Sequence, residues 1–380
     1  MITLLIQNNT FLRRTVGALL FLLFALPASA ETVTDMAGRE VELPEQVTGI
    51  ILGEGRFLPA LAILEGQRLT DRLAGIMPDF ELADPAGYRQ YAEAFPKLKT
   101  VPRLGRSTAD SFSIEQALSL GANLAVFGIE GHGPSARDES LVGRLERAGV
   151  TVLFIDFRQD PLSHTLQSMT LLGRALDRDA EANAFIDFYR QVLDRVQAGL
   201  NTLNPEDVPS VFLHSRVGLQ DACCETMTNG MLGRFLSLLN ADNIATERVP
   251  GVSGIYNLEY LLLEQPDIYI ATAVGSTDTL ESHPGIIALG AGVAPAQAEA
   301  SLRHALSHAG LAQLQAVQQH RAFAIWHHFY NSPLNVVAVQ AFARWLYPDT
   351  FADLDPQHTL TTLYQRFQPV PLNGTYWIGG

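Results

Sequence analysis

Two stretches of this 380-residue chain repeat one pattern without a gap: Ser113–Val126 reads SIEQALSLGANLAV, and Asn257–Ile270 reads NLEYLLLEQPDIYI. In each copy, apolar residues recur at helical intervals and then run together as the start of a short strand. The pattern predicts a helix followed by a strand in both places. Glu115 and Glu259 occupy the same position of the repeated pattern, near the start of each predicted helix.

The distance between the two copies indicates the domain organisation. They lie 144 residues apart, which is far longer than a solenoid repeat and about the size of a whole domain. The sequence therefore predicts an α/β fold of two Rossmann-like lobes, each with a mainly parallel sheet. We place the lobes at residues 31–176 and 205–380 and a long bridging helix at 177–204.

The first 30 residues have the features of an export signal. Arg13 and Arg14 precede an apolar run over residues 16–26, and the sequence PASA ending at Ala30 forms a small-residue cleavage site. The run is shorter than the roughly 20 apolar residues that cross a bilayer, and position 31 is Glu rather than an acylatable cysteine. We expect cleavage after Ala30 and a soluble periplasmic protein. A Sec-type signal is favoured, because one arginine pair is weak evidence for twin-arginine export.

Composition excludes one class of partner. Without Arg13 and Arg14 the exported chain has 24 basic and 40 acidic residues, a net charge of −16 with neutral histidines. Such an acidic chain is a poor partner for nucleic acid. Apolar residues make up 47% of the sequence, which is enough for two cores and carries no mark of disorder.

Polar side chains gather where the predicted strands end. We predict strands at 47–52, 124–128 and 151–156 in the first lobe and at 210–214 and 322–325 in the second. Open α/β sheets bind ligands at the carboxyl ends of their strands. The cleft residues expected from the first lobe are Glu54, Arg56, Arg106, Glu130, His132 and Arg158. Those expected from the second lobe are His214, Arg216, Tyr256, Trp326, His327, His328 and Tyr330.

The arginines of this set, together with Arg103, favour an anionic cargo. Guanidinium groups suit oxygen-rich ligands such as carboxylate, catecholate or hydroxamate chelates. For each arginine alone, a surface or salt-bridge role is the alternative.

The segment Trp326–Tyr330 (WHHFY) combines aromatic surface with two imidazoles and a phenol. It could line a flat chelate or supply one ligand to an incompletely coordinated metal. Neighbours on an extended chain point to opposite faces, so we expect one of His327 and His328 in the cleft unless a turn intervenes. A buried core histidine is the alternative for each. Tyr330 is the better haem-ligand candidate, and the sequence does not assemble a set of metal ligands.

Two further features carry predictions. Residues 162–204 contain no proline and predict a short helix, a break at 176–179 and a second helix that could join the lobes as a stiff rod.

The only cysteines, Cys223 and Cys224, are adjacent. An oxidising compartment permits a vicinal disulfide, whereas two buried or partly buried thiols are the alternative, and the sequence does not decide between them.

The chain resembles the periplasmic solute-binding proteins of ABC importers that carry iron–siderophore, haem and cobalamin-type complexes, the helical-backbone or class III family. The resemblance covers nearly all of the exported chain, and it implies two lobes joined by one long rigid helix, with the ligand held in a cleft between the lobes. It rests on the order of four features: TDMAGREVELPEQV at 34–47, VPRLG at 101–105, the two repeat copies, and SPLNVVAVQAFARWLYPDTF at 332–351. One departure is visible, because residues 121–123 read GAN where residues 265–267 have the usual Pro-Asp in QPD.

The resemblance implies how the protein docks. In that family one glutamate per lobe engages arginines of a permease dimer, which works with its ATPase at the inner membrane, and Glu115 and Glu259 match those positions. Exposed opposite charges steer encounter and add modest affinity, which suits reversible docking. The alternative is that both are ordinary first-turn acids favoured by the helix dipole.

We therefore expect a monomeric, non-catalytic receptor without an intrinsic cofactor that captures a ferric siderophore, with haem or a corrinoid as alternatives. The rival is a periplasmic metal-dependent hydrolase, but the sequence contains no G-x-S-x-G, P-loop or H-E-x-x-H motif. The residues expected to bind the ligand are Arg56, Arg106, His132, Arg158, Arg216, Tyr256, Trp326, His327, His328 and Tyr330.

Overall fold

The computed structural model describes residues 31–220, 223–308 and 310–379, and these form two α/β lobes. The predicted export signal lies outside the described residues. A hairpin opens the first lobe, in which β1 (Thr32–Thr34) and β2 (Glu40–Glu42) pair antiparallel. The turn between them uses Gly38 at φ 78°, a conformation that costs glycine little.

The first lobe is built on a four-stranded parallel sheet. Its strands are β3 (Ile50–Leu52), β4 (Leu73–Ile76), β5 (Leu124–Gly128) and β6 (Thr151–Ile155), in the order β4-β3-β5-β6. Neighbouring residues face opposite sides of the sheet, so Ile51 belongs to one buried cluster and Ile50 and Leu52 to another. Both faces are covered, as is usual for parallel sheets.

The helices of the first lobe flank this sheet. They are α1 (Leu58–Glu65), α2 (Asp79–Ala83), α3 (Pro85–Ala94), α4 (Ile114–Ser119) and α5 (Glu139–Arg147). Every residue of α1 is buried, which fits a helix that is apolar on all sides. Two longer helices follow, α6 (Pro161–Leu176) and α7 (Asp179–Leu200). The predicted break between them is present, because Asp177 adopts φ 56°, but α6 has 16 residues and is not the short helix we expected.

The second lobe has a seven-stranded mixed sheet. Its strands are β7 (Ser210–His214), β8 (Glu225–Met227), β9 (Asp242–Asn243), β10 (Ser253–Ile255), β11 (Ile268–Ala273), β12 (Ala322–Trp326) and β13 (Trp377–Gly379). The order is β10-β8-β7-β11-β12-β13, with β9 beside β7. The central strands β7, β11 and β12 are parallel, whereas β8, β10 and β13 run antiparallel to their neighbours.

The second lobe also has helices on its sheet. They are α8 (Gly233–Leu238), α9 (Leu258–Glu264), α10 (Pro295–Leu306), α11 (Gln315–Gln318), α12 (Val336–Leu346) and α13 (Pro356–Phe367). The long helix α7 packs against α1 of the first lobe and α12 of the second. Across the latter contact, the Tyr189 hydroxyl donates to Asn335 Oδ1 at 2.6 Å. Within the described part of the chain, no helix has the length and apolarity needed to cross a membrane.

The repeated sequence pattern folds as predicted, into α4–β5 in one lobe and α9–β11 in the other. Both helices begin with a side-chain cap: Ser113 Oγ accepts from the Gln116 N–H, and Asn257 Oδ1 accepts from the Glu259 N–H. Both are followed by a left-handed residue, Gly121 at φ 66° and Gln265 at φ 48°. The departure in sequence therefore changes the residue but not the turn.

The match extends to the residue before each strand. Asn123 Oδ1 accepts from the Thr48 N–H at 2.9 Å, just before β3. At the equivalent position, Asp267 Oδ2 accepts from the Ser210 N–H at 2.8 Å, at the start of β7. In each lobe this side chain ties the repeated strand to the start of its neighbour, so the two units share tertiary as well as local structure.

Candidate functional site

The carboxyl ends of the strands meet where the two lobes face each other. Glu54 and Arg56 follow β3, Arg158 follows β6, and a short 3-10 turn at His327–Asn331 follows β12. Their side chains come together in a buried polar group that we call the cleft cluster, formed by Glu54, Arg56, Asp79, Arg158, His327, His328, Tyr330 and Asn331.

Glu54 is the centre of the cleft cluster and is 2% exposed. Its Oε1 accepts from Arg56 Nη2 at 2.5 Å and from Asn331 Nδ2 at 2.5 Å, while Arg158 Nη2 lies 3.4 Å away. The first two donors belong to different lobes. One carboxylate oxygen therefore joins the lobes through charge-assisted hydrogen bonds.

Arg56 also bonds to both lobes. Its Nε lies 3.3 Å from Asp79 Oδ2, and its Nη1 donates to the Tyr330 hydroxyl at 2.9 Å. Asp79 is held in turn by the backbone N–H of Gly55 at 2.6 Å. Because a buried guanidinium is costly unless it is paired, this bonding explains how Arg56 can be 5% exposed.

The two carboxylates of the cluster titrate in opposite directions. Burial alone would raise the pKa of Glu54, but the charges of Arg56 and Arg158 outweigh it and lower that pKa to about 2. Burial raises the pKa of Asp79 to about 6, and the Glu54 charge adds to this increase while Arg56 opposes it. Near neutral pH, Glu54 is therefore the fixed negative charge of the cluster.

Tyr330 lies beneath two guanidinium groups. The Arg158 carbon Cζ is 5.3 Å from the centre of its ring and that of Arg56 is 5.8 Å away, both within cation–π range. Burial would raise the pKa of this phenol, yet Arg56 and Arg158 lower it below its usual value. The direction of the shift indicates a positive potential at the Tyr330 oxygen.

The two adjacent histidines are both buried because a turn intervenes, and they take partners in opposite lobes. His327 Nδ1 lies 2.9 Å from the Thr272 hydroxyl on β11. His328 Nε2 donates to the carbonyl of Ala83, in the first lobe, at 3.2 Å. Burial lowers the pKa of His328 to about 3, so its imidazole is neutral.

This tautomer of His328 leaves Nδ1 with a free lone pair. That atom is buried and has no hydrogen-bond partner among the described residues. The same is true of Arg158 Nε. Buried polar atoms are normally paired, and an unpaired one calls for an explanation such as a bound water, ion or ligand. The cleft cluster therefore contains one buried acceptor and one buried donor without a protein partner among the described residues.

Arg158 is positioned by the turn that follows β6. Asp156 Oδ1 accepts from the Arg158 N–H at 2.8 Å, and Asp156 Oδ2 lies 2.6 Å from His164 Nδ1. The hydrogen bond to Asp156 raises the pKa of His164. The His164 imidazole thus supports the carboxylate that shapes this turn.

We expect His164→Gln to destabilise the protein by about 1 kcal/mol below pH 6, with a smaller effect at pH 8. The sign follows because a histidine with a raised pKa stabilises the fold fully below its unfolded pKa and loses that contribution as pH rises through the folded pKa. Urea unfolding from pH 5.5 to 8.5 measures the difference from wild type. His358→Gln, at an exposed helical position, is the matched control, and a pH-independent loss in His164→Gln would contradict the assignment.

The remaining predicted ligand residues surround the cluster or lie apart from it. Exposed His132 interacts electrostatically with Glu54, and its Nδ1 lies 3.1 Å from the Ser107 carbonyl. Arg106, which directly precedes Ser107 in the sequence, is also exposed. Trp326 packs against the cluster, with its ring centre 5.4 Å from that of His328.

Arg216 and Tyr256 have other partners in the second lobe. The Arg216 guanidinium pairs with Glu225, its Nε 2.9 Å from Oε2. The Tyr256 ring packs on Phe212 at 5.3 Å between centres, and its hydroxyl bonds to Glu264. The structure does not bring Tyr256 into the cleft cluster.

The sequence reasoning missed two members of the cluster. Asp79 follows β4, a strand that we did not predict, and so it had no strand end to mark it. Asn331 directly follows the WHHFY segment and belongs to the same 3-10 turn. Its position one residue after Tyr330 was the available signal.

Comparison with known proteins bears on the fold. No protein-family model matches the sequence. No curated protein matches it either. Among solved structures, the chain is similar to FepB of Veillonella parvula, described as a TroA-like periplasmic binding protein. The identity is 21% and the TM-score 0.81, covering 92% of this chain and 99% of that one. The fold is that of a periplasmic binding protein.

Two other solved structures share this fold. One is MolA of Haemophilus influenzae, described as a molybdate periplasmic binding protein of an ABC transporter and bound to molybdate, with 15% identity, a TM-score of 0.66, and 90% and 99% of the two chains covered. The other is CeuE of Helicobacter pylori with Ni(II) bound, with 15% identity, a TM-score of 0.64, and 90% and 97% covered. The two-lobed α/β fold predicted from the repeat is confirmed.

On this binding-protein fold, the two repeated glutamates lie at the surface. Glu115 is in the first turn of α4 and Glu259 in the first turn of α9, and both are exposed. Neither side chain is buried in the hydrophobic core. Their role in docking stays a prediction.

Proposed function

We propose that this chain is the periplasmic receptor of an ABC importer and that its cargo is a metal chelate, with a ferric siderophore as the leading candidate. The observation that carries the proposal is the convergence of two guanidinium groups on the Tyr330 phenol between the lobes. A site with positive potential and hydrogen-bond donors suits a chelate whose metal is surrounded by anionic oxygens.

The unpaired atoms of the cleft cluster support the same cargo. Arg158 Nε–H can donate to a carboxylate or catecholate oxygen, and His328 Nδ1 can accept a hydrogen bond or bind an open metal position. A neutral imidazole with its other nitrogen held by a backbone carbonyl is the usual form of a metal-binding histidine. Haem or a corrinoid is the alternative cargo, because both present a flat metal complex.

The proposed role also specifies how the receptor delivers its cargo. The receptor is monomeric, exported and non-catalytic, and it delivers its cargo to a permease dimer through Glu115 and Glu259. The long helix α7 is the stiff joint that keeps the two glutamates at a fixed separation, because it packs on α1 of the first lobe and on α12 of the second.

Absorbance of the protein purified from its host separates the cargo classes. A Soret band identifies haem, a corrin spectrum identifies a corrinoid, and a visible charge-transfer band identifies a ferric chelate. Stripped protein is then titrated with ferric tris-catecholate, ferric hydroxamate and haem, using tryptophan fluorescence. One-to-one binding of a ferric chelate without turnover supports the proposal, whereas binding of none of the three, or hydrolysis of a bound compound, overturns it.

Tyr330→Phe is expected to weaken chelate binding about 10-fold or more, because a hydrogen bond involving charged groups contributes about 1.5–3 kcal/mol. Removal of the hydroxyl also leaves Arg56 Nη1 without this partner. Fluorescence titration with the chelate that binds wild type measures the change. Tyr376→Phe is the matched control, since Tyr376 is equally buried beside Trp326 but its hydroxyl bonds only to that of Tyr364, at 3.1 Å, among the described residues. Equal affinities in the two variants would place Tyr330 outside the site.

A further inference from the structure

A second cluster of reactive side chains lies in the second lobe, apart from the cleft cluster. A cavity of about 290 Å³ is lined by His214, Arg216, Cys223, Glu225 and His308, among others. Cys223 and Cys224 are joined as a disulfide, the first of the two arrangements that the sequence allowed. Cys223 is partly exposed to this cavity, whereas Cys224 is fully buried.

The two sulfur atoms lie beside an imidazole. A ring nitrogen of His214 and both Sγ atoms are all within 4.8 Å of one another. In a thiolate–imidazole metal site, bonds of about 2.0–2.3 Å place neighbouring donor atoms roughly 3.5–4 Å apart. The three donors are thus gathered within the span of one metal site, and the two sulfur atoms, which are bonded to each other here, must separate to about this spacing after reduction.

His214 has the properties of a metal ligand. It is 6% exposed and is the last residue of β7. The Tyr269 hydroxyl lies 2.6 Å from Nδ1 and fixes the orientation of the ring. Second partners of this kind orient the histidines of known metal sites.

The backbone holds the ligands in place. His214 ends β7 and pairs with Thr226 of the antiparallel strand β8. Cys224, just before β8, exchanges two backbone hydrogen bonds with Tyr256: its N–H donates at 3.0 Å and its carbonyl accepts at 2.8 Å. Sites supported by paired strands keep their geometry better than sites on free loops.

We propose that His214, Cys223 and Cys224 form a redox-gated site for a thiophilic metal ion such as Cu(I), Zn²⁺ or Cd²⁺, closed while the disulfide exists and opened by its reduction. The thiolate, and not the disulfide sulfur, is the form of cysteine that binds such ions, and soft sulfur ligands favour them. The proposed metal site shares no residue with the cleft cluster, so the proposal adds to the proposed function and does not depend on it.

The opening step requires an external dithiol, such as the active site of an exported thiol–disulfide oxidoreductase. Its thiolate attacks Cys223 Sγ, the partly exposed sulfur, and Cys224 leaves as a thiolate that takes up a proton. The second thiol of the reductant then displaces Cys223, so the protein gains two thiols and the dithiol becomes a disulfide. Metal binding releases two protons from the thiols.

The test compares the full-length exported protein before and after reduction by a phosphine, with Cd²⁺ as the probe and the ultraviolet cadmium–thiolate absorption as the readout. All proteins carry His304→Gln, because the exposed rings of His304 and His308 are 4.4 Å apart and could bind the probe as a pair. This change breaks the pair and keeps His308, which lines the cavity. A thiol count confirms reduction, and circular dichroism confirms that the fold persists. We expect one Cd²⁺ per reduced protein and no such absorption in the oxidised protein.

Variants assign the ligands. Cys223→Ser with Cys224→Ser is expected to abolish the absorption, and His214→Gln to weaken Cd²⁺ binding at least 10-fold. Zn²⁺ competition with a chromophoric chelator gives a second readout that does not rely on the sulfur absorption. Equal binding by oxidised and reduced protein, no binding by folded reduced protein, unfolding on reduction, or full affinity in His214→Gln would each overturn the proposal. Chelate titration of the same samples reports separately on the cleft.

Discussion

Reversing Glu115 and Glu259 to lysine together is expected to abolish uptake while leaving chelate affinity unchanged. If each carboxylate meets a permease arginine, reversal replaces two attractions with two repulsions, and like charges facing each other cost several kcal/mol. We expect uptake to fall on the order of 100-fold or more, since about 1.4 kcal/mol corresponds to a factor of ten. Each single reversal should give an intermediate loss.

The measurement is uptake of radioactive iron by the host with its own copy of the gene replaced by the variant. The ferric chelate is the one that binds the purified wild-type protein. Glu139→Lys with Glu299→Lys is the matched control, because both residues are exposed helical acids, one in each lobe. Unaltered transport by the Glu115/Glu259 variant, or an equal loss in the control, would mean that these two residues are ordinary first-turn acids.

The surface beside Glu259 supports a contact with another protein. Leu263, one turn further along α9, is 77% exposed, and Tyr260 is 47% exposed. Large apolar side chains that are grouped and exposed mark interaction surfaces. Glu259 would then supply steering and register, while its apolar neighbours supply contact area.

Local pattern was sufficient to predict the frame of the molecule. The spacing of Leu258, Leu261 and Leu262 requires one apolar helical stripe, and the apolar run from Ile268 makes a strand, so the repeated α4–β5 and α9–β11 units could be predicted without tertiary information. The same reasoning found β3, β5, β6, β7 and β12. It missed β4 (Leu73–Ile76), whose four residues include Gly75 and carry too weak a pattern. It also missed β8, β9, β10 and β13, which have only two or three residues each.

The cleft cluster could be predicted only in part, because it depends on convergence. Strand-end reasoning brought Arg56, Arg158 and Tyr330 to one edge, and the structure places them together. The sequence could not show that Glu54 would accept a hydrogen bond from Asn331, which is 277 positions away in the chain. Nor could it fix the tautomer of His328, which depends on a carbonyl of the other lobe.

Glu54→Gln is expected to cost about 3 kcal/mol of stability, the lower end of the range for breaking a buried ion pair. The variant leaves Arg56 and Arg158 with one buried negative partner fewer. Asp79 limits the loss, because the Glu54 charge raises its pKa and removal of that charge favours ionised Asp79 beside Arg56. Urea unfolding at pH 7, followed by both fluorescence and circular dichroism, measures the change and tests for a two-state transition.

The pH dependence and a second substitution separate the charge from the packing. Because the folded pKa of Glu54 is about 2, its ionisation stabilises the protein above the ordinary carboxyl pKa of 4.5, and that contribution is lost as pH falls through about 2. The wild-type advantage over Glu54→Gln should therefore shrink below pH 4.5. Adding Arg158→Gln should restore part of the lost stability by removing one unpaired cation. A loss below 1 kcal/mol, or no recovery in the double variant, would mean that Glu54 does not neutralise these arginines.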